Sequence, residues 1–445
     1  PGVMNKKYRS LWFIIGLGAQ LQILFSLSIS ETMIFCLAPF FIAEEFHAMR
    51  RSGVITCFYV SILPLLGCIL ACVVNGTALV YALRGLATTA LIPCVVIVVH
   101  RLFRKDMNGY KWYFVGELGS LFISTYVFQH YGMLQTYAGG QTGLDAAEDL
   151  MSSPLYWIQR FGGLLLLPSR GWYCNVPLAY SVLAPVFLAI FSLKTSTSGR
   201  STALGVILAA LMVMIAGKRR ASIKRVAKYF WVVVICGVCS VFVLNVAYKK
   251  AALSGWMGEE SRQKYERQTR GGDSILHLLI GGRAASFVGL LAVADKPVFG
   301  FGPWAVDDAG YLETFFSRYA SVEDYEDLLG ANIRQQRRLL LIECHACWLE
   351  FWVWYGLLGM VFWLYVLFVV FRFLRHDCWV VPQWFFWLGA GAPGVLWMIF
   401  FSPYTTRVMT PMMLVGYLMA RAVRHGRVCM PVEMIKEIDA TERGR

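Results

Sequence analysis

Apolar runs long enough to cross a membrane recur along this chain and limit what it can fold into. About 20 apolar residues carry an α-helix across the hydrocarbon core of a bilayer, where the helix satisfies its own backbone hydrogen bonds. Polar segments rich in arginine and lysine follow many of the runs. The sequence therefore predicts an all-α, polytopic membrane protein with about 12 transmembrane helices. From the amino terminus, the predicted spans cover residues 11–29, 31–46, 53–73, 77–99, 112–130, 154–172, 176–193, 201–217, 229–247, 347–371, 379–401 and 408–423.

The charge composition agrees with a membrane protein. Charged residues make up 15% of the 445 residues, whereas they are about a quarter of a soluble domain. The net charge is +14, from 41 lysines and arginines against 27 aspartates and glutamates. A basic balance also occurs in nucleic-acid-binding proteins, but here an excess of lysine and arginine on cytoplasmic loops explains it. We therefore expect membrane lipid, and no nucleic acid, as a partner.

Basic clusters set the predicted orientation. They lie at Arg50-Arg51, Arg101 to Lys105, Lys218 to Lys228, Arg372 to Arg375 and Arg421 to Arg427. Placing all of them inside puts both termini in the cytoplasm and residues 248–346 outside. One further crossing is then needed between residues 130 and 176. Residues 154–172 are the only candidate, although this stretch is short and carries two arginines.

The polar interval at 248–346 is the long loop of this topology, ahead of the tenth helix. About a hundred residues far exceed the two to eight that usually connect helices in a bundle. Long loops on a rigid scaffold often carry binding and catalytic groups, so we expect part of the active site here. The chain thus divides into helices one to nine at 1–247, the loop, helices ten to twelve at 347–425, and a cytoplasmic tail at 426–445.

Two features raise the possibility of a metal site. Cys344 and Cys347 flank His345, and Asp307 and Asp308 are adjacent carboxylates. A structural zinc site needs a second ligand pair at suitable spacing, and this sequence does not supply one. Nothing else supports the two aspartates as ligands. The sequence predicts no metal and no other cofactor.

Three basic residues lie on or near the predicted outer face. Arg200 is in the turn that opens span eight, Arg283 precedes an apolar, helix-like run at 284–294, and His345 opens span ten. Singly, such an arginine is often a membrane anchor, and such a histidine is often a polar helix cap. Together, two guanidinium groups that grip phosphate and an imidazole that accepts a proton suit a pyrophosphate-linked donor and a hydroxyl acceptor.

Four more residues are candidates for substrate binding. Arg337 and Arg338 form a basic patch ahead of His345, and Arg407 lies in an outer turn. Glu350, five residues past the histidine, either orients it or faces the helix bundle.

Three motifs carry a resemblance to a known family: Ser198-Gly199-Arg200, Gly282-Arg283 followed by Pro297 and Gly300-Phe301-Gly302, and His345 followed by Leu349-Glu350 and Gly356-Leu357-Leu358-Gly359. These motifs resemble the O-antigen ligase family, which shares its fold with O-antigen and exopolysaccharide polymerases. The large loop before the tenth span is one shared feature. The resemblance covers mostly residues 195–360, while the rest of the chain is similar in topology alone. Gly199 departs from the family's adjacent Ser-Arg pair.

The resemblance implies a metal-independent, inverting glycosyltransferase of the GT-C type in the bacterial inner membrane, with its active site facing the periplasm. The donor would be a glycan on undecaprenyl pyrophosphate, and the acceptor of a ligase would be a sugar of the lipid A core. His345 would accept the proton of the acceptor hydroxyl, and Arg283 and Arg200 would hold the departing pyrophosphate.

Three other functions stay open at this stage, one of them protein O-glycosylation by a relative of the same fold. A repeat-unit polymerase would use the same three residues with a second lipid-linked glycan as acceptor, and one sequence does not reveal the acceptor, the sugars or the oligomeric state. A transporter or flippase for an anionic lipid would also need outer arginines, but it predicts ionisable residues buried in the spans. The predicted spans hold few of these, Glu117 being the main exception, which favours an enzyme.

Overall fold

The computed structural model of the chain is mostly helical. It describes residues 2–19, 22–24, 27–52, 55–105, 110–126, 246, 249–255, 262, 265–266, 286–319, 341–342, 344, 346–375, 395–396 and 398–400. We number the described elements in chain order as α1 Gly2–Leu17, β1 Gln22–Leu24, β2 Leu27–Ser28, α2 Ile29–Ser52, α3 Ile55–Asn75, α4 Leu79–Lys105, α5 Tyr110–Tyr126, α6 Ser286–Asp295, α7 Tyr311–Tyr319 and α8 Cys347–Arg375.

Four helices in this part of the chain are long and apolar enough to cross a membrane: α2, α3, α4 and α8. The 21 residues of α3 span about 30 Å, the thickness of the hydrocarbon core. These helices correspond to predicted spans two, three, four and ten, so the prediction of a helical membrane protein is confirmed at this level. α2 and α4 extend beyond the predicted spans, because each helix continues through the charged residues that follow its apolar run. Predicted spans six to eight and twelve lie outside the described residues.

Span one differs from the prediction. The sequence predicts a single helix at 11–29, whereas α1 ends at Leu17 and the short antiparallel ribbon β1–β2 follows it. At Gly18 the chain turns tightly against the start of α2, and an ideal Cβ there would lie 2.8 Å from Cβ of Ile29. The glycine therefore permits a close approach that ends the helix.

A capping box then starts α2. Ser28 Oγ accepts the amide N–H of Glu31 at 3.2 Å, and Glu31 Oε2 accepts the amide N–H of Ser28 at 2.5 Å. Two backbone donors that a helix start leaves free are satisfied in this way. The Ser-x-x-Glu spacing was a sequence signal for this helix start, but the apolar run on either side obscured it.

The membrane-length helices alternate in direction. α8 runs antiparallel to α3, because Tyr365 Oη lies 3.1 Å from Cys57 Sγ near the start of α3, while Tyr355 O meets Gly67 further along it. A short turn at 76–78 joins α3 to α4, which therefore also run antiparallel. The basic carboxyl-terminal ends of α4 and α8 consequently share one end of the bundle, which we call the basic end. The α3–α4 turn marks the opposite end, which we call the turn end.

A buried ion cluster joins α2 to α4 at the basic end. The fully buried carboxylate of Glu45 lies 2.5 Å from His100 Nδ1 and accepts hydrogen bonds from Arg101 at 3.0 Å and from Arg104 at 2.5 Å. Glu44, which is half exposed, pairs with both arginines. The expectation that the predicted spans hold few buried ionisable residues therefore fails at Glu45, in predicted span two, whose partners lie just past predicted span four. Because the opposite charges balance each other, the cluster ties the two helices together.

Candidate functional site at the break in α8

The helix α8 is broken at Gly356. This residue has φ 64° and ψ −155°, so the residues on its two sides form separate helical segments. Such a backbone conformation is essentially restricted to glycine. A break leaves backbone carbonyls and amides without their helical partners, and inside a membrane protein those groups need other partners.

A loop supplies these partners. Residues 297–304, with the sequence Pro-Val-Phe-Gly-Phe-Gly-Pro-Trp, lie against the break, and we call them the clasp loop. The indole N–H of Trp352 donates to Pro297 O at 2.8 Å. Three backbone hydrogen bonds join the clasp loop to α8: Phe301 N to Val353 O at 2.7 Å, Gly302 N to Trp354 O at 3.0 Å, and Leu357 N to Val298 O at 2.9 Å.

Glycine is needed on both sides of this contact. An ideal Cβ at Gly356 would overlap the carbonyl group of Val298. One at Gly300 would lie 2.6 Å from Val353 O and 2.7 Å from Gly356 N, and Gly300 also has a left-handed φ of 70°. The glycine motifs around residues 300 and 356, which are far apart in the sequence, are therefore in direct contact.

Asn75, at the end of α3, holds the clasp loop at the turn end. Its Nδ2 donates to Ala71 O at 2.8 Å and to Gly300 O at 3.0 Å. Its Oδ1 accepts a hydrogen bond from Lys296 Nζ at 2.7 Å. One amide side chain thus connects α3, the clasp loop and the lysine that precedes the loop.

Pro303 and Trp304 attach the end of the clasp loop to α4. An ideal Cβ at Gly85 would lie 2.5 Å from Pro303 Cγ, so the glycine provides the notch that receives the proline ring. Trp304 has φ 55°, a conformation that a large side chain adopts only where its surroundings enforce it. Its ring centroid lies 5.1 Å from that of Trp354 and 5.6 Å from the guanidinium carbon of Arg84.

The segments next to two predicted catalytic residues pack together. α6 begins three residues after Arg283. Gly289 of α6 faces Cys344, since an ideal Cβ there would lie 2.5 Å from the cysteine Sγ. Cys344 and Ala346, on either side of His345, are both buried. The chain that leads into α8 therefore packs on the helix that follows Arg283.

Residues 341 and 342, which lie ahead of α8, pair with the residues after the clasp loop. Ile342 N donates to Ala305 O at 2.9 Å, and Leu341 forms an isolated antiparallel bridge with Val306. The clasp loop, α6 and the start of α8 therefore form one packed unit at the turn end.

Asp307 caps the helix α7. Its two carboxylate oxygens accept the amide N–H groups of Tyr311 and Leu312, each at 2.8 Å, which is a structural role. Tyr311 Oη donates to Asp295 Oδ2 at 2.5 Å. Burial, and after it this hydrogen bond, raise the pKa of the Tyr311 phenol above its ordinary value, so the group stays a neutral donor. Across the described residues, no cluster of His, Cys, Asp and Glu has a metal-binding arrangement.

Most of the predicted site residues lie outside the described part of the chain. The exception is Glu350, in the first turn of α8, whose side chain is buried in the bundle next to Cys347. Its role in substrate binding stays a prediction. The predicted residues outside the described part are Arg200, Arg283, Arg337, Arg338, His345 and Arg407.

Sequence reasoning missed three polar side chains around the clasp loop: Asn75, Arg84 and Lys296. Arg84 and Lys296 each lie over an aromatic ring of the loop, and neither has a carboxylate partner among the described residues. A signal for Arg84 did exist, because Arg84-Gly85 resembles the pairs Gly199-Arg200 and Gly282-Arg283. Asn75 and Lys296 offered none, because their contacts join residues more than 200 positions apart.

Comparison with known proteins assigns no family. No protein-family model, no curated protein and no solved structure matches this chain. The resemblance to the O-antigen ligase family therefore rests on the motifs themselves, and a function has to follow from the site.

Proposed function

We propose that this chain is an O-antigen ligase of the bacterial inner membrane. It is an inverting, metal-independent glycosyltransferase that moves a glycan from undecaprenyl pyrophosphate to a sugar of the lipid A core. The observation that supports this most is the contact between the clasp loop and the break at Gly356. It unites two of the motifs that carry the resemblance, and it does so at the turn end, away from the basic clusters of α4 and α8.

The clasp contact suits a transfer enzyme because it is rigid and lies at one end of membrane-length helices. The polyprenyl chain of the donor stays in the bilayer while its pyrophosphate reaches the membrane surface. A transfer site therefore has to lie near a helix end, on elements whose backbone is fixed. The backbone hydrogen bonds across the break, with the Asn75 contacts, hold the clasp loop, which follows Arg283 in the sequence, against α8, which follows His345.

In the proposed reaction the acceptor hydroxyl attacks the anomeric carbon of the donor sugar from the face opposite the pyrophosphate. A new carbon–oxygen bond forms, the bond to the pyrophosphate oxygen breaks, and that oxygen keeps the electron pair. His345 accepts the proton of the hydroxyl. Arg283 and Arg200 stabilise the charge on the leaving pyrophosphate, so no metal is required. Arg337, Arg338, Arg407 and Glu350 bind the substrates.

The proposed orientation puts the turn end in the periplasm and the basic end in the cytoplasm. Ala309 and Arg51 test this orientation, because both are exposed. Ala309 follows the clasp loop at the turn end, and Arg51 lies in α2 at the basic end. In a variant whose 12 native cysteines are replaced, Ala309→Cys is expected to react with a membrane-impermeant maleimide in intact spheroplasts. Arg51→Cys is expected to react only after permeabilisation. The reverse pattern would overturn the orientation and the location of the site.

A reconstituted assay tests the proposed activity. The purified full chain is placed in proteoliposomes with a glycan on undecaprenyl pyrophosphate, and lipid A-core is supplied as the acceptor. We expect glycan attached to lipid A-core, at the same rate with and without excess chelator. Growth of the lipid-linked glycan in place of this product would identify a polymerase. A rate that magnesium or manganese restores after chelation would contradict the metal-independent mechanism.

A transporter for an anionic lipid is the second candidate, and the buried cluster around Glu45 is the observation that favours it. Ionisable residues inside membrane helices often mark a transport or proton path. The charges of this cluster are paired, however, and Glu44 and Arg104 open it to solvent at the basic end. The cluster therefore fits a tie between α2 and α4 better than a path across the membrane.

A further inference from the structure

Two cations at the turn end have no part in the proposed transfer step. The guanidinium carbon of Arg84 lies 5.6 Å from the ring centroid of Trp304, and Lys296 Nζ lies 4.7 Å from that of Phe301. Both side chains are exposed, and neither forms an ion pair within the described ranges. Two exposed positive charges thus lie above two rings of the clasp loop. The rings belong to Phe301 and Trp304, which are three positions apart in the sequence.

Both cations are held in position by the loop and by the helices beneath it. Lys296 Nζ donates to Asn75 Oδ1 at 2.7 Å, and Asn75 is itself hydrogen-bonded to the clasp loop. Trp304 adopts a left-handed backbone conformation that its neighbours enforce, and this fixes the ring under Arg84. A cation held over an aromatic face keeps its hydrogen-bond donors free for another ligand.

The surface of α4 beside Arg84 is apolar and exposed. Leu79, Val80 and Leu83 have exposed fractions of 72%, 67% and 57%. Because α4 is one of the membrane-length helices, this surface suits contact with lipid chains. A positive charge next to a lipid-facing strip at a helix end matches a molecule with a long apolar chain and an anionic head.

We propose that Arg84 and Lys296 bind the phosphates of a membrane lipid, and that this lipid is the undecaprenyl-pyrophosphate donor. The assignment of the lipid rests on the proposed function, whereas phosphate binding follows from the two cations and the apolar strip. The donor reaches the protein from within the bilayer, with its chain along α4 and its pyrophosphate bound first at Arg84 and Lys296, before Arg283 and Arg200 receive it for the transfer step. The planar guanidinium of Arg84 donates two parallel hydrogen bonds to phosphate oxygens, and the ammonium of Lys296 adds a point charge.

The substitution Arg84→Lys separates phosphate binding from simple membrane anchoring. An anchor needs a long side chain with a charged tip, which lysine also provides. A phosphate clamp needs the fork of donors, which lysine lacks. Arg262→Ala is the control, since Arg262 is an exposed arginine of the long loop that also carries Lys296, and it already pairs with Glu266 at 2.9 Å.

The experiment measures binding of labelled undecaprenyl pyrophosphate to the full chain in phosphatidylcholine nanodiscs. Arg84→Lys and Lys296→Ala are each expected to weaken binding about 10-fold or more, because each loses charge-assisted hydrogen bonds. Arg262→Ala is expected to bind like the wild type, and unlabelled phosphatidylglycerol is expected to compete poorly. Thermal unfolding in detergent verifies that each variant is folded.

Wild-type affinity in folded Arg84→Lys would overturn the lipid site. Competition by phosphatidylglycerol as strong as that by undecaprenyl pyrophosphate would overturn the assignment of the lipid as the donor. These outcomes are separable from a failure of the proposed function. If the wild-type chain transfers glycan but Arg84→Lys binds the lipid normally, the proposed function stands and the proposed lipid site is wrong. If the wild-type chain transfers no glycan but binds the lipid through Arg84, the lipid site stands and the proposed function is wrong.

Discussion

Gly356→Ala is expected to destabilise the protein by about 3 kcal/mol or more. An added methyl group would overlap the carbonyl of Val298, and φ 64° with ψ −155° is a conformation that alanine resists. Relief of either problem would separate the clasp loop from α8. The hydrogen bonds between them would then be lost, each worth about 1 kcal/mol, with their partners left unsatisfied.

Thermal unfolding of detergent-solubilised protein, followed by fluorescence-detected size exclusion, measures this effect. Gly76→Ala is the matched control, because Gly76 also has a left-handed φ, of 60°, but no atom lies within 4 Å of its ideal Cβ. Gly76→Ala is expected to lower the free energy of unfolding by about 1 kcal/mol, because it carries the backbone conformational penalty without an atomic overlap. If Gly356→Ala unfolded at the same temperature as Gly76→Ala, the close contact at the break would be ruled out.

His345→Ala is expected to lower glycan transfer by about 10² to 10⁴, the contribution of a general base, while protein abundance stays normal. Arg283→Lys keeps the charge but loses the bidentate fork, so it is expected to reduce transfer strongly and to weaken donor binding as well. The measurement is glycan transfer to lipid A-core in a deletion strain that carries each variant, with protein quantified by immunoblot. If both residues only anchor helix ends, conservative changes at either will cost little activity.

The contrast between the two variants tests their separate roles. His345→Ala is expected to bind the donor lipid like the wild type, since the imidazole acts on the acceptor. Arg262→Ala again serves as the control, because this arginine lies in the same loop and has an acidic partner. Near-normal transfer by His345→Ala at normal abundance would remove the histidine from the mechanism.

The membrane helices were predictable because apolar length is a local property of the sequence. α3 and α8 lie close to the predicted spans, and α2 and α4 differ mainly where the helix continues past its first charges. The early end of α1 at Leu17 and the ribbon β1–β2 were not predicted, because Gly18 and the capping box at Ser28 lie inside an apolar run. Gly18 ends α1 and the capping box starts α2, but the average hydrophobicity of the run does not show either signal.

The site was predictable only in part, because it depends on contacts between distant segments. Both glycine motifs were visible in the sequence, but nothing local indicates that Gly300 lies against Gly356. Asn75 reaches Gly300 across 225 positions for the same reason. The buried cluster around Glu45 was missed because two adjacent glutamates near a helix end resemble a solvated surface. Their partners on α4 become evident only from the packing.

We propose that this chain breaks a glycosyl–phosphate bond of the donor and forms a glycosidic bond to the acceptor at the turn end. The most direct test follows the donor's glycosyl–phosphate bond in the reconstituted proteoliposomes, using a donor labelled in both glycan and lipid. We expect one undecaprenyl pyrophosphate released for each glycan attached to lipid A-core, and release about 10² to 10⁴ slower in His345→Ala. Intact donor arriving in the opposite leaflet, with its glycosyl–phosphate bond unbroken and no glycan on the acceptor, would contradict the proposal and identify a transporter.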